Sequence, residues 1–172
     1  MTSNSQIVKK NPSPYNKITG DVASHIRKIM VGNYQQAALG TIDKNDQPMV
    51  TKIIPMWYSG CIYLLLSDLS EHTRNLSNNP NTSIYFAEEE KHKIKSNNPR
   101  LTLQGTLQKM TLGKDSPEFQ MLLKHYNKIE PGSKMWAMFA DFNFYIFCAK
   151  RKLFVEGFGK AYEEKIKDKP KK

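Results

Sequence analysis

Residues 100–107, Arg-Leu-Thr-Leu-Gln-Gly-Thr-Leu, alternate polar and apolar side chains. Period two puts every second side chain on one face of an extended backbone, so this stretch reads as a half-buried strand. The runs around it agree. Residues 37–42 (Ala-Ala-Leu-Gly-Thr-Ile) lead into a turn-rich segment at 43–47. Residues 48–57 follow, with β-branched Val50, Thr51, Ile53 and Ile54. Tyr58-Ser59-Gly60 turns the chain into a third run at 61–67. Short polar connections between β-rich runs predict an antiparallel meander. Residues 82–87, 142–149 and 153–158 supply further strands.

Helices are interposed rather than alternating with each strand. In residues 21–30, Val22, Ile26, Ile29 and Met30 recur at helical spacing, and Gly32 supplies a stop. Ser70 reads as an N-cap, with Glu71 in the first turn where a negative charge suits the helix dipole, and Asn78-Asn79-Pro80 ends that helix. Ser116-Pro117 places a cap and an N1 proline before Phe119, Leu122, Leu123 and Tyr126. The order fits a small antiparallel barrel with peripheral helices better than a βαβ repeat.

Three segments fall outside this frame. Residues 1–18 carry Pro12 and Pro14 and read as a flexible arm, leaving 19–162 as the barrel domain. Residues 88–99 form a charged excursion expected to be mobile. Residues 163–172 form a basic tail with five lysines and three acids, so +2 of the formal +10 lies there and +8 on the rest.

At 172 residues one domain is expected. A fold of this size buries about 70% of its unfolded surface. The 8 Phe, 8 Tyr and 2 Trp argue against general disorder. No apolar run approaches the ~18 residues of a membrane span. The first 17 residues lack the apolar core of a secretory signal. Cys61 and Cys148 match neither a disulfide framework nor a zinc pattern, so a reducing cytoplasm is the default. The +10 charge fits a nucleic-acid surface, an anionic small ligand or a lysine-rich exterior.

Chemistry concentrates in Ser67-Asp-Leu-Ser-Glu-His-Thr-Arg-Asn-Leu76. A strand ends there and a helix begins. The free N–H groups of a first helical turn and the positive dipole end suit a phosphate or carboxylate. Ser67, Thr73 and Arg74 add hydroxyl and guanidinium donors, and His72 can donate from a ring nitrogen. The competing reading is a capped helix with Arg74 solvated and Asn75 tying down a loop. Thr51 and Ile53 share one face of a strand, with Lys52 on the other. Lys52 is a second anion contact or a surface lysine. Arg100 reaches the same cleft or pairs with the Glu88-Glu-Glu90 run. His25, His72, His92 and His125 form no metal pair at short spacing. Asp141 is a ligand-orienting carboxylate or a turn cap. No Walker-type or dinucleotide glycine pattern is present, and no nucleophilic triad emerges.

Several blocks occur in order: Leu39-Gly-Thr-Ile-Asp43, Pro48-Met-Val-Thr51, Leu66-Ser67, His72-Thr-Arg-Asn-Leu76, Asn79-Pro80, Arg100-Leu-Thr-Leu-Gln-Gly105, Asp141-Phe142 and Gly157-Phe-Gly-Lys-Ala161. Together they resemble the pyridoxamine 5'-phosphate oxidase-like split barrels that bind FMN, most closely the HugZ/HutZ-type haem-utilisation branch. The resemblance implies a mainly β fold, a six-stranded antiparallel split barrel with peripheral helices. It also implies a homodimer with two sites at the subunit interface. In flavin-binding members the phosphate is held by the strand matching Thr51, Lys52 and Ile53, and by the segment matching Ser67 and His72, Thr73, Arg74 and Asn75. Arg100 falls where the family places an interface residue touching the flavin or a haem propionate. The B6 oxidase itself carries Arg-x-Val-Leu-Leu-Lys where this chain reads Lys52-Ile-Ile-Pro-Met-Trp57, so B6 oxidase activity does not follow. Haem-degrading relatives use a tail histidine as iron ligand. No histidine follows His125 here, which leaves Asp141 as a supporting carboxylate without its partner and the axial ligand unassigned.

The expected function is therefore that of an FMN-binding protein, a flavin-dependent oxidoreductase of unassigned substrate. The alternative is a haem-binding or haem-degrading protein of the same fold. A nucleic-acid-binding module is the third reading, disfavoured because the lysines are scattered and no recognition motif appears.

Overall fold

The computed structural model describes residues 13–166. Most of the expected arm and the end of the basic tail lie outside the described residues. Within them, Asn16–Lys17 form a short strand, β1. They pair in parallel with Tyr162 and Glu163 of the last strand, β9 (Lys160–Lys165). Glu163, Glu164 and Lys165 are thus part of the sheet.

Helix α1 (Gly20–Met30) forms where the spacing predicts it and buries Ile26, Ile29 and Met30. Strands β2 (Gln36–Ile42) and β3 (Pro48–Ile53) make an antiparallel hairpin. The run at 48–57 is not one strand. It breaks at Ile54-Pro55, and β4 (Met56–Tyr58) resumes as a partner of β5 (Cys61–Ser67) rather than of β2. Proline lacks the N–H that a continuing ladder needs. The exposed carbonyls are taken up by Tyr126 Oη, which donates to Ile54 O at 2.9 Å, and Tyr34 Oη, which donates to Pro55 O at 3.0 Å. A two-residue turn, Ser59 (φ 48°) and Gly60 (φ 85°), closes the β4–β5 hairpin.

Helix α2 (Glu71–Asn78) precedes β6 (Asn81–Ala87) and β7 (Arg100–Lys109). The charged excursion between β6 and β7 is anchored. The buried Asn98 accepts from the backbone N–H groups of Lys91 (3.0 Å) and His92 (2.9 Å). Helix α3 (Pro117–Tyr126) starts at Ser116, whose Oγ accepts from the Phe119 N–H at 3.2 Å. A one-turn helix, α4 (Ser133–Trp136), leads into β8 (Phe142–Gly157).

The two strands expected at 142–149 and 153–158 are one 16-residue strand, β8. It pairs with β7 from Tyr145 to Val155, but its other edge changes partner. Phe142 to Phe147 pair with Ser67 to Ile62 of β5, and Arg151 to Gly157 pair with β9. A register shift at Gln104/Gly105 of β7 marks the crossover. Gly105 is required there, because a Cβ would sit 2.1 Å from the Cys148 carbonyl oxygen.

The fold is mainly β with peripheral helices, and one expectation needs correcting. The described residues form one nine-stranded sheet, not six strands, and it is not closed. Its path runs β1-β9-β8-β7-β6-β2-β3, with β4-β5 branching from β8. Splitting 48–57 and adding β1 and β9 account for the extra strands. One core lies under α1 and joins Leu39, Ile62, Leu64, Ile84, Phe86, Leu101 and Phe154. A second, with Met56, Leu65, Phe119, Leu122, Tyr126 and Phe144, lies under α3. Strand β5 serves both cores, with Leu64 on one side and Leu65 on the other, which explains its unbroken apolar sequence.

Candidate functional site: the mouth of helix α2

Helix α2 packs on β2 and β3 through Thr73, Asn75 and Leu76, all buried. Ser70 occupies the N-cap position, but its side chain makes no capping bond. The turn is held instead by Ser67 and Thr73. Ser67 Oγ accepts from the Leu69 N–H at 3.1 Å and donates its proton to Asp141. Thr73 Oγ1 donates to Ser67 O at 2.8 Å. Asn75 Nδ2 donates to Thr41 Oγ1 at 3.2 Å. Arg74 is exposed, and one of its guanidinium nitrogens donates to Leu69 O at 2.7 Å.

His72 is the side chain in this turn with an unmet valence. Its Nδ1 lies 3.2 Å from Thr51 Oγ1, bridging α2 to β3. Its Nε2 is buried and has no hydrogen-bond partner. Burial pushes the imidazole pKa below its ordinary value, which favours the neutral ring. If Nδ1 accepts from the threonine hydroxyl, Nε2 carries the proton and is a donor without an acceptor. An anion at the first turn of α2 would meet that need once the ring edge is uncovered, and the imidazole, hydroxyl and amide donors gathered here fit a phosphate such as that of FMN.

The structure brings Thr51, Ser67, His72, Thr73, Arg74 and Asn75 together. Within one chain it does not bring Lys52, Ile53 or Arg100 to the same place. Ile53 is a core residue of the barrel. Lys52 is exposed on the face of β3 opposite Thr51 and shares a shallow depression with Gln35, Ile129 and Glu130. Arg100 opens the ten-residue β7, whose other end carries Lys109 beside Asp68. At about 3.3 Å per residue the two ends are some 30 Å apart. Arg100 donates to the carbonyls of Ser96 and Asn98, both at 3.3 Å, rather than to the Glu88–Glu90 run. Glu88 instead meets His25 Nε2 at 2.9 Å and accepts from Asn33 at 2.7 Å.

Sequence reasoning missed the polar cluster beside Ser67. Asp68 accepts from Lys109 Nζ (2.7 Å), Asn143 Nδ2 (2.9 Å) and Tyr145 Oη (3.0 Å). Burial, followed by the bond to Asp68 and its charge, raises the Tyr145 pKa. Only the register of β5, β7 and β8 unites these residues, and no local pattern announces it. Asp141 lies in the same cluster, its carboxylate taken by Ser67 and its carbonyl by the Asp68 N–H at 2.7 Å. Among the described residues its carboxylate serves this turn, and no histidine is bonded to it.

The sequence also gave no sign of a cavity of about 860 Å³ between α1 and the 88–99 excursion, lined by His25, Lys28, Tyr34, Glu88 and His92. Among the described residues no group of His, Cys, Asp and Glu is arranged to hold a metal ion, and no helix is long and apolar enough to cross a membrane.

Comparison with known proteins places this geometry. The fold is similar to that of ChuZ from Campylobacter jejuni, with a TM-score of 0.76 at 24% identity over 87% of this chain and 61% of that one. The chain thus spans about three fifths of that protein's length. HutZ, the haem storage protein of Vibrio cholerae, matches with a TM-score of 0.62 at 20% identity, over 78% of this chain and 91% of its own. A Clostridium acetobutylicum protein related to general stress protein 26, of the pyridoxine phosphate oxidase family, matches with a TM-score of 0.63 at 15% identity, over 86% and 97%. No curated protein sequence matches significantly. The family model for the CREG β-barrel matches residues 19–170. With that match over most of its length, and with the fold shared by these neighbours, the chain belongs to the CREG β-barrel family of split-barrel proteins.

Proposed function

We propose that this protein binds FMN at the mouth of α2 and is a flavin-dependent oxidoreductase acting as a homodimer. The observation that carries the reading is the buried, unpartnered Nε2 of His72 beside the Thr51 hydroxyl. The flavin would supply the redox chemistry, and the protein its binding, orientation and electrostatic setting. In this reading His72 and the first-turn amides hold the phosphate, and Thr51 fixes the imidazole tautomer. Ser67 and Thr73 shape the turn, since their hydroxyl protons are already committed. Arg74 stands at the rim as an exposed cation, able to exchange its carbonyl partner for a phosphate oxygen. Lys52 and Arg100 lie away from this mouth, so their contact with the same ligand requires a second copy of the chain.

Titration of the purified protein with FMN, followed by flavin fluorescence, tests this. Saturable binding in the micromolar range is expected. His72→Ala should weaken it about 10- to 100-fold, the loss of one hydrogen bond to a charged group. Absence of binding at tens of micromolar by a folded protein, or equal binding by the variant, overturns the reading.

Haem is the second reading, supported by the haem storage function in the name of one structural neighbour. It calls for an iron ligand other than one oriented by Asp141. A Soret band that survives gel filtration and disappears in a single histidine variant would establish it over flavin.

A further inference from the structure

The β5–β8 ladder ends at Ile62↔Phe147. Continuing that antiparallel register by one residue beyond the ladder sets Cys61 against Cys148, each already paired on its other side, with Tyr58 and Thr106 respectively. Both are free cysteines, Cys61 half-buried and Cys148 exposed. They share the sheet face away from the first core, because Ile62 and Phe147 beside them are both buried in that core; farther along, the same face carries Leu65 and Phe144 of the second core. Facing residues of antiparallel strands have Cα atoms about 4.5–5.5 Å apart. A disulfide spans about 4.4–6.8 Å between Cα atoms, so a facing pair lies within its Cα reach, with the Cβ atoms drawn slightly together as the bond closes.

We propose that Cys61 and Cys148 are a redox-responsive pair that closes to an intrachain disulfide between β5 and β8. The proposal stands apart from the cofactor reading. The sequence gives no hint of it, since the two cysteines are far apart in the chain. The fold supplies both register and access. Cys148 sits where β8 has left β5 and has not yet met β9, so it is reachable from solvent. Cys61 begins β5 directly after the Ser59–Gly60 turn, beside Tyr63.

With a low-molecular-weight disulfide RSSR as oxidant, the exposed Cys148 thiolate attacks one sulfur. A protein–SR bond forms, the RS–SR bond breaks, and RS⁻ leaves to take up a proton. The Cys61 thiolate then attacks Cys148 Sγ, forming the Cys61–Cys148 bond and releasing the second RS⁻. Two protein thiols are oxidised to one disulfide, and RSSR is reduced to two RSH. The bond clamps the β4–β5 limb to β8. That limb has no other sheet neighbour among the described residues, and it carries the chain into α2.

The test uses the full chain, reduced, desalted and incubated with oxidised glutathione, then digested without reductant after thiol blocking. Mass spectrometry should find one peptide pair joined through Cys61 and Cys148 and a chain lighter by about 2 Da, with no interchain link. The oxidised protein should melt several degrees higher than the reduced one, up to about 10 °C, and Cys61→Ser should remove the difference. In Cys61→Ser the reaction should stop at a glutathione adduct on Cys148. Separate glutathione adducts on both wild-type cysteines, a disulfide between chains, or two free thiols under excess oxidant would each overturn the proposal. If a serine variant fails to fold, the wild-type peptide map alone decides it.

Discussion

A single imidazole concentrates the chemistry of this fold. His72 is held by Thr51 on one nitrogen and left without a partner on the other. Its pKa is lowered from 6.5 by burial, so between the folded and unfolded values the unfolded chain binds the extra proton. Stability from this group is fully present above the unfolded value and is lost as pH falls through the folded one. The urea midpoint should therefore drop between pH 7 and pH 5, and the drop should be smaller in His72→Gln. An equal drop in both proteins assigns the acid sensitivity to other groups. A bound phosphate reverses the sign, since an anion beside Nε2 favours the imidazolium. Added FMN should accordingly narrow the difference between the two pH values. Ser67 shows the opposite economy. Its hydroxyl proton is used within the protein, donated to Asp141, and its oxygen also accepts from the Leu69 N–H. Sequence alone could not distinguish a serine that faces a ligand from one that builds the turn, because both follow a strand and precede a helix.

The helices were readable because their signals are local. Ser116 caps α3 through the Phe119 amide as its position before Pro117 predicts, and Ser116→Ala should cost about 1 kcal/mol in urea unfolding. Helix α1 follows from the spacing of Ile26, Ile29 and Met30. The ligand-suited turn before α2 was legible for the same reason, as Ser67, His72 and Thr73 lie within one short segment. Strand pairing was less legible. Residues 48–57 read as one β-rich run through Val50, Thr51, Ile53 and Ile54, yet Pro55 divides them between two hairpins, and β8 looks like two strands because Lys150-Arg151-Lys152 interrupts its apolar run. Those polar residues are where β8 exchanges β5 for β9, a change that only three-dimensional pairing reveals. Gly105 is the hinge of that exchange. Gly105→Ala drives a Cβ into the Cys148 carbonyl and should destabilise the fold by about 3 kcal/mol, lowering the melting temperature by roughly 6–12 °C. A melting temperature within a degree or two of wild type would show that the bulge can relax.

For the whole molecule, the residues expected to hold one cofactor do not all converge within one chain. Lys52 and Arg100 stand away from the α2 mouth, and Val50 on β3 and Tyr85 on β6 are exposed. If these residues meet a ligand, two copies enclose it, and sedimentation equilibrium should give twice the 19.8 kDa chain mass. A strict monomer that still binds FMN would confine the site to α2 and β3. The order in which the chain is made adds a further constraint. Ser67 waits for Asp141, 74 residues later, and β5 waits for β8. At ~5–20 residues per second, a ribosome exposes Cys61 to Ser67 for several seconds before their partner strand exists. Through that interval this strongly apolar segment has only the three-residue β4 as a local partner. The α2 mouth therefore cannot take its final shape until Asp141 and β8 have been made, and slow synthesis between residues 67 and 141 prolongs the exposure of an apolar strand.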